Sequence, residues 1–230
     1  MNGMSVINNH PEMLQNVMDR FMLIEQEYLN NHLTSLIPPF MEKMRAEGFA
    51  ASISSQLLQY MPRYKATIVP VALSFYMAAR DLMLYNEVDF FLSVFHFRGI
   101  EAVVPILLSD FASQKTPELT RWYISDCLYQ IRSKQYEDDY IAIVEDASFG
   151  INRQMLILLI GKLRIKKAIP VLLRLIDDES IRLHVIMALS DYQMEEFRPL
   201  FKTYAQSSNP TWKNSAEKAI KKLDKLNKTE

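Results

Sequence analysis

The sequence predicts an all-α protein, an α-solenoid of about six antiparallel helix pairs behind an N-terminal capping helix. Three observations carry this. Prolines and basic residues recur at intervals near thirty residues, apolar slots travel with the basic ones at offsets that share one helical face, and glycine is scarce. Only 5 glycines occur in 230 residues, where average usage of roughly 7% would give about three times as many, so tight hairpin turns are few and an all-β or Rossmann-type fold is disfavoured.

The capping helix is expected over residues 11–30, with Leu14, Val17, Met18, Phe21 and Tyr28 on one stripe. Helix pairs follow over 32–62, 63–98, 99–134, 135–164, 165–193 and 194–228. One solenoid domain therefore spans 1–230: a cap to residue 31, divergent repeats over 32–98, and clearer repeats over 99–228.

The first helix of each pair is marked by proline. Pro38, Pro70, Pro105, Pro170 and Pro199 stand 32, 35, 65 and 29 residues apart, so the long gap holds two repeats. Proline deep in a helix removes a hydrogen bond and bends it, which predicts periodically bent first helices. Arg98-Gly-Ile-Glu-Ala-Val-Val-Pro-Ile-Leu-Leu aligns with Ile165-Lys-Lys-Ala-Ile-Pro-Val-Leu-Leu, and each opens such a helix.

The second helices repeat independently. Arg121, Arg153, Arg182 and Lys213 stand 32, 29 and 31 residues apart. Three residues on come Ile124, Leu156, Val185 and Ala216; six on, Cys127, Leu159, Ala188 and Ala219; seven on, Leu128, Ile160, Leu189 and Ile220. These offsets lie on one face, which must be buried against neighbours. Val88 and Ala51 occupy the basic slot of the earlier pairs, so those units depart from the pattern. Thr116-Pro117 and Asn209-Pro210 mark second-helix starts, and Asp177-Asp178-Glu179 is expected to supply a cap and first-turn carboxylates. Lys213, Lys218, Lys221, Lys222, Lys225 and Lys228 among Ala216, Ala219, Ile220 and Leu223 make an amphipathic end piece.

The run from Ala168-Ile-Pro-Val-Leu-Leu-Arg-Leu-Ile-Asp-Asp-Glu-Ser-Ile-Arg to Ala188-Leu189 resembles the HEAT repeat, and the short period is similar to the HEAT-like units of phycobilisome lyases. The resemblance is best over 99–225. It implies a right-handed superhelix whose second helices line the concave side, and it specifies fold far more than function.

Two surfaces follow. The column Arg121, Arg153, Arg182 and Lys213 either forms a ladder with turn carboxylates, as this slot usually does in such repeats, or meets an acidic partner. Positions one, five and eight after the basic slot rotate away from the buried stripe. They place Trp122, Asp126 and Tyr129, then Leu158, then Leu183 and Met187 on the outward face, and Asp89 and His96 extend the row backward. Apolar and aromatic groups there suit a partner helix or peptide, unless a neighbouring segment covers them. His96, within Phe95-His96-Phe97, reads as a partly packed histidine at a helix end.

A stretch without acidic residues brings together Lys162, Arg164, Lys166 and Lys167, either an anion patch or a solvated turn. Glu137, Asp138, Asp139, Glu145 and Asp146 read as a solvated helix face. Cys127, the only cysteine, falls in a small apolar slot and excludes an intramolecular disulfide. His10, His32, His96 and His184 lack metal-ligand spacing, and no phosphate loop or nucleophile elbow is present. Ten methionines among the first 83 residues fit either an adaptable surface or a loosely packed core. Neither catalytic residues, metal nor cofactor is expected.

A net charge of −1 lacks the basic footprint of a typical nucleic-acid binder. The polar opening (Asn8, Asn9, His10), without basic residues before Arg20, and the shortness of the apolar runs Ile68–Ala79 and Met155–Ile160 lead to an expectation of a cytoplasmic, non-membrane protein. The expected function is that of a non-enzymatic scaffold or adaptor holding a protein segment in the groove. The alternative is a DNA-binding repair protein resembling the HEAT-like alkylated-base glycosylases, with Trp122, Asp126 and the arginine column as counterparts; a chromophore-lyase-like role ranks last.

Overall fold

The structure is a computed structural model that describes residues 11–52 and 54–226. His10, the Leu14 side chain and Lys228 lie outside the described residues. Helices account for the regular structure, and no β-strand occurs among the described residues. The chain divides into two compact units, 1–133 and 134–230.

The first unit contains α1 (Pro11–Asn30), α2 (Ile37–Ala46), the single turn α3 (Ser54–Leu57), α4 (Met61–Asp81), α5 (Tyr85–Val94), α6 (Val104–Ala112) and α7 (Glu118–Ile131). Helix α1 packs along α4, which also meets α2 and α5. Second helices lie side by side, α3 on α5 and α5 on α7, and α6 pairs with α7. Enclosure by three helices explains the run Ile68–Ala79: Pro70 is half-buried and the other eleven residues are buried, as a helix apolar on every side must be. Phe40, Phe75 and Phe91 meet edge-on or tilted, with ring centroids 5.1 to 6.0 Å apart.

Two expectations for this unit need correction. The pair over 32–62 has only a one-turn second helix, Ser54–Leu57, followed by turns over 58–60 before α4 begins at Met61. On α1, Val17 and Phe21 are buried and Tyr28 is half-buried, but Met18 turns outward, as do Met22, Leu23 and Leu29. The methionines divide accordingly: Met41, Met44, Met61 and Met77 fill the core, whereas Met18, Met22 and Met83 reach solvent.

The second unit contains α8 (Glu137–Glu145), α9 (Gln154–Leu163), α10 (Ile169–Leu175), α11 (Arg182–Tyr192), α12 (Arg198–Ala205) and α13 (Pro210–Leu226). Three hairpins stack: α8 pairs with α9, α10 with α11 and α12 with α13, while α9, α11 and α13 pack in succession and α8 touches α10. The repeating slots are buried as the offsets require, including Leu156, Leu159, Ile160, Val185, Ala188, Leu189, Ala216 and Ala219; Ile220 is half-buried. Helices α9 and α11 approach so closely at Gly161 that a Cβ there would lie 2.4 Å from the Cα of Ala188.

The periodic prolines do not bend their helices as expected. Pro38, Pro105, Pro170 and Pro199 sit in the first turn, where a missing N–H costs nothing. The bend comes earlier, as a 3₁₀ turn at Glu101–Val103, Lys166–Ala168 and Glu195–Phe197. Only Pro70 among these five lies inside its helix. Several helices end on a left-handed residue that is not glycine: Met83 after α4, Arg132 after α7, Arg164 after α9 and Gln193 after α11, with φ from 53 to 59°.

Candidate functional site

The basic column is built into the helix ends. A helix leaves its last carbonyls without intrahelical partners, and a guanidinium at the start of the next helix reaches back to them. Arg121 donates from Nε to the Phe111 carbonyl at 3.0 Å and from a terminal nitrogen to that of Ser113 at 2.7 Å, closing α6 onto α7. Arg153 repeats the arrangement, donating to the carbonyls of Gly150 at 2.9 Å and Val144 at 3.1 Å, and adds a 2.6 Å bond to Asp178 of the following hairpin. Arg182 donates to the Ile176 and Asp177 carbonyls at 2.7 and 2.8 Å, pairs with Glu179, and lies 4.4 Å from the centroid of the Trp212 ring. Lys213, at the fourth place, is exposed.

Asp177-Asp178-Glu179 does not supply first-turn carboxylates to α11, which starts at Arg182. Asp178 instead closes a turn of its own, accepting from the Ser180 backbone N–H at 3.0 Å and its hydroxyl at 2.6 Å. These bonds, together with Arg153, hold its carboxyl below the usual aspartate range. Asn209, in contrast, caps α13 as expected, accepting from Thr211 and Trp212 N–H groups.

In the first unit the outward row gathers on α5, on the two residues that follow it, and on α7. Trp122 is 39% exposed, while Tyr129, Asp126, Asp89 and His96 are half-buried. Contacts between the two helices run in register: the Thr120 hydroxyl donates to Asp89 at 3.2 Å, the Cys127 thiol donates to the Leu92 carbonyl at 3.1 Å, and His96 Nε2 stands 3.6 Å from an Asp126 carboxylate oxygen. Burial pushes His96 below its ordinary value against the opposing pull of Asp126. Burial likewise raises Asp89, offset in part by Thr120. Cys127 is fully buried and its thiol is pushed well up by burial and by Asp126 and Asp89, which makes it a packed, unreactive group.

In the second unit Leu158 on α9 and Leu183 on α11 are half-buried, and Met187 is 42% exposed. The lysine and arginine cluster is partly engaged: Lys167 pairs with Glu137 and Asp138, and Arg164 donates to the Gln193 amide oxygen at 2.8 Å. Lys162 and Lys166 are exposed. The acidic stretch is a first-turn and pairing set, with Glu145 bound to Arg174 and Asp146 capping the turn at Ser148. Among the described residues no group of three or more His, Cys, Asp or Glu is placed to hold a metal, and no helix is long and apolar enough to cross a membrane.

A buried polar cluster escaped the sequence reading. The Tyr76 hydroxyl donates to Asp110 at 2.7 Å and Arg80 donates to the same carboxylate at 3.1 Å, tying α4 to α6. Burial and the neighbouring carboxylate push the Tyr76 phenol well above its ordinary range. The signal was an aspartate three and two residues after Leu107 and Leu108, on the apolar side of its helix.

The family model for HEAT repeats matches residues 137–221, most of the second unit. No curated protein and no solved structure matches the sequence.

Proposed function

We propose that the protein is a non-enzymatic cytosolic scaffold that holds a partner's polypeptide segment against the outward faces of its second helices. HEAT repeats are in general protein-interaction scaffolds, and repeated second helices offer an extended binding surface. The observation that carries the reading is made separately in each unit: Trp122, one residue after Arg121, is 39% exposed in the first, and Met187, five residues after Arg182, is 42% exposed in the second. Large apolar side chains kept at solvent on a second helix are the anchors protein interfaces use. Nucleic acid fits less well, because Asp89 and Asp126 line the same face in the first unit and would repel phosphate.

The test is capture of partners from cell extract by the wild-type chain and by Trp122→Glu and Met187→Glu variants whose circular dichroism and melting are unchanged. The proposal expects loss of the specific partners in both variants. Retention of the same partners, or salt-sensitive duplex DNA binding in place of protein, contradicts it.

A further inference from the structure

The α5 and α7 face carries more than apolar anchors, and its charges specify what an anchor segment should contain. We propose that this face receives a basic segment, with one cationic side chain at Asp126 stacked on Trp122 and a second at Asp89. The inference rests on the scaffold reading and names the chemistry of its ligand.

Neither carboxylate has a lysine or arginine of this protein as partner among the described residues. Asp89 accepts from the neutral Thr120 hydroxyl, and Asp126 faces the His96 imidazole at 3.6 Å, whose charging burial disfavours. Three other partly buried acids do have cationic partners: Asp110 with Arg80, Asp191 with Lys222, Asp178 with Arg153. Asp126, with a side chain only 19% exposed, is thus largely screened from water with no lysine or arginine beside it. A guanidinium arriving there gains a charge-assisted bond in a site already partly desolvated. Trp122, one turn earlier on α7, presents a ring for cation–π stacking, the use Arg182 makes of Trp212.

The register sets the spacing. Asp89 lies level with Thr120, and Asp126 is six residues further along α7, a rise of about 9 Å. Three residues of polyproline II chain span about 9 Å and bring positions i and i+3 to the same edge. Two arginines separated by two residues therefore match the pair of carboxylates.

The experiment titrates the full chain into the fluorescein-labelled peptide Gly-Arg-Ser-Gly-Arg-Gly at low salt, following anisotropy. Gly-Glu-Ser-Gly-Glu-Gly and a 20-base-pair duplex serve as comparison probes. Saturable binding of the arginine peptide is expected, weakened about tenfold by Asp126→Asn and by Asp89→Asn, and unaltered by Glu196→Gln in the second unit. Trp122→Ala is expected to cost several-fold. Absence of binding at millimolar protein, binding insensitive to both aspartate substitutions, or preference for the duplex overturns the proposal. If the charged variants of Trp122 and Met187 lose their protein partners while the peptide fails, the scaffold reading stands and this inference falls.

Discussion

Arg153 and Asp178 meet at 2.6 Å, joining the hairpin α8–α9 to the hairpin α10–α11 through a guanidinium that is only 2% exposed. The same guanidinium closes its own hairpin through Val144 and Gly150, so one side chain fixes both a turn and a repeat interface. Gly150 makes this geometry available: its φ of 50° and ψ of −130° fall where a residue with a Cβ is strained.

Replacing Arg153 by Met keeps the aliphatic stem but leaves the Val144 and Gly150 carbonyls without their donor and removes the bond to Asp178. The unfolding free energy should fall by about 2 to 4 kcal/mol. Asp178→Asn should cost about 1 kcal/mol, since Asp178 is 35% exposed and solvent screens it. Lys213→Met, at the exposed fourth place, should stay within about 0.5 kcal/mol. Urea denaturation orders the three; equal losses at Arg153 and Lys213 would refute the clip.

Gly161→Ala sets two effects against each other. Helix propensity favours Ala by about 1 kcal/mol. The new Cβ, however, would stand 2.4 Å from the Cα and 2.7 Å from the carbonyl oxygen of Ala188, both backbone atoms that cannot swing aside. Overpacking of about 1 to 3 kcal/mol or more should win, and the melting temperature should drop. A rise would show that α9 and α11 are further apart.

Met83 holds a φ of 59° with 68% of its surface exposed, so its side chain contributes little packing while its backbone carries left-handed strain. Met83→Gly should therefore stabilise the protein, by up to about 1 kcal/mol, against the usual direction for glycine. Differential scanning calorimetry checks the sign; a clear loss would contradict the left-handed turn.

His96 and His184 are both pushed below the ordinary histidine value by burial. The folded state thus prefers the neutral rings, and the unfolded chain takes up protons first as pH falls through about 6.5. Stability present above that pH should decline below it. Wild type should lose more unfolding free energy between pH 7.5 and 5.5 than His96→Gln combined with His184→Gln; identical slopes would refute the assignment.

Periodicity made much of the fold legible. The spacing of Arg121, Arg153 and Arg182 placed three second helices, because a guanidinium that must reach a helix end is pinned to one position per repeat. Residues 11–30 were read as one helix from the same kind of pattern, and α1 spans Pro11–Asn30. The short α3 was not legible, since Ala51 offers no such pin. Nor were the left-handed ends at Arg132, Arg164 and Gln193, which lack the glycine that ordinarily signals them. The role of the prolines was not legible either, because spacing does not distinguish a first turn from a helix interior. Of the candidate row, sequence offsets supplied the members on each helix. The pairing of His96 with Asp126 and of Thr120 with Asp89 depends on how α5 packs on α7, which no local pattern encodes.

Site-specific photocrosslinking tests the central claim most directly. A benzophenone amino acid would be placed at Trp122 and Met187 on the second helices, and at Ser109 and Lys202 on the first helices α6 and α12. Irradiation in cells should give discrete protein adducts from positions 122 and 187 and none from 109 and 202. Adducts confined to the first helices, or absent from both second-helix positions, would contradict a partner-binding role for that face.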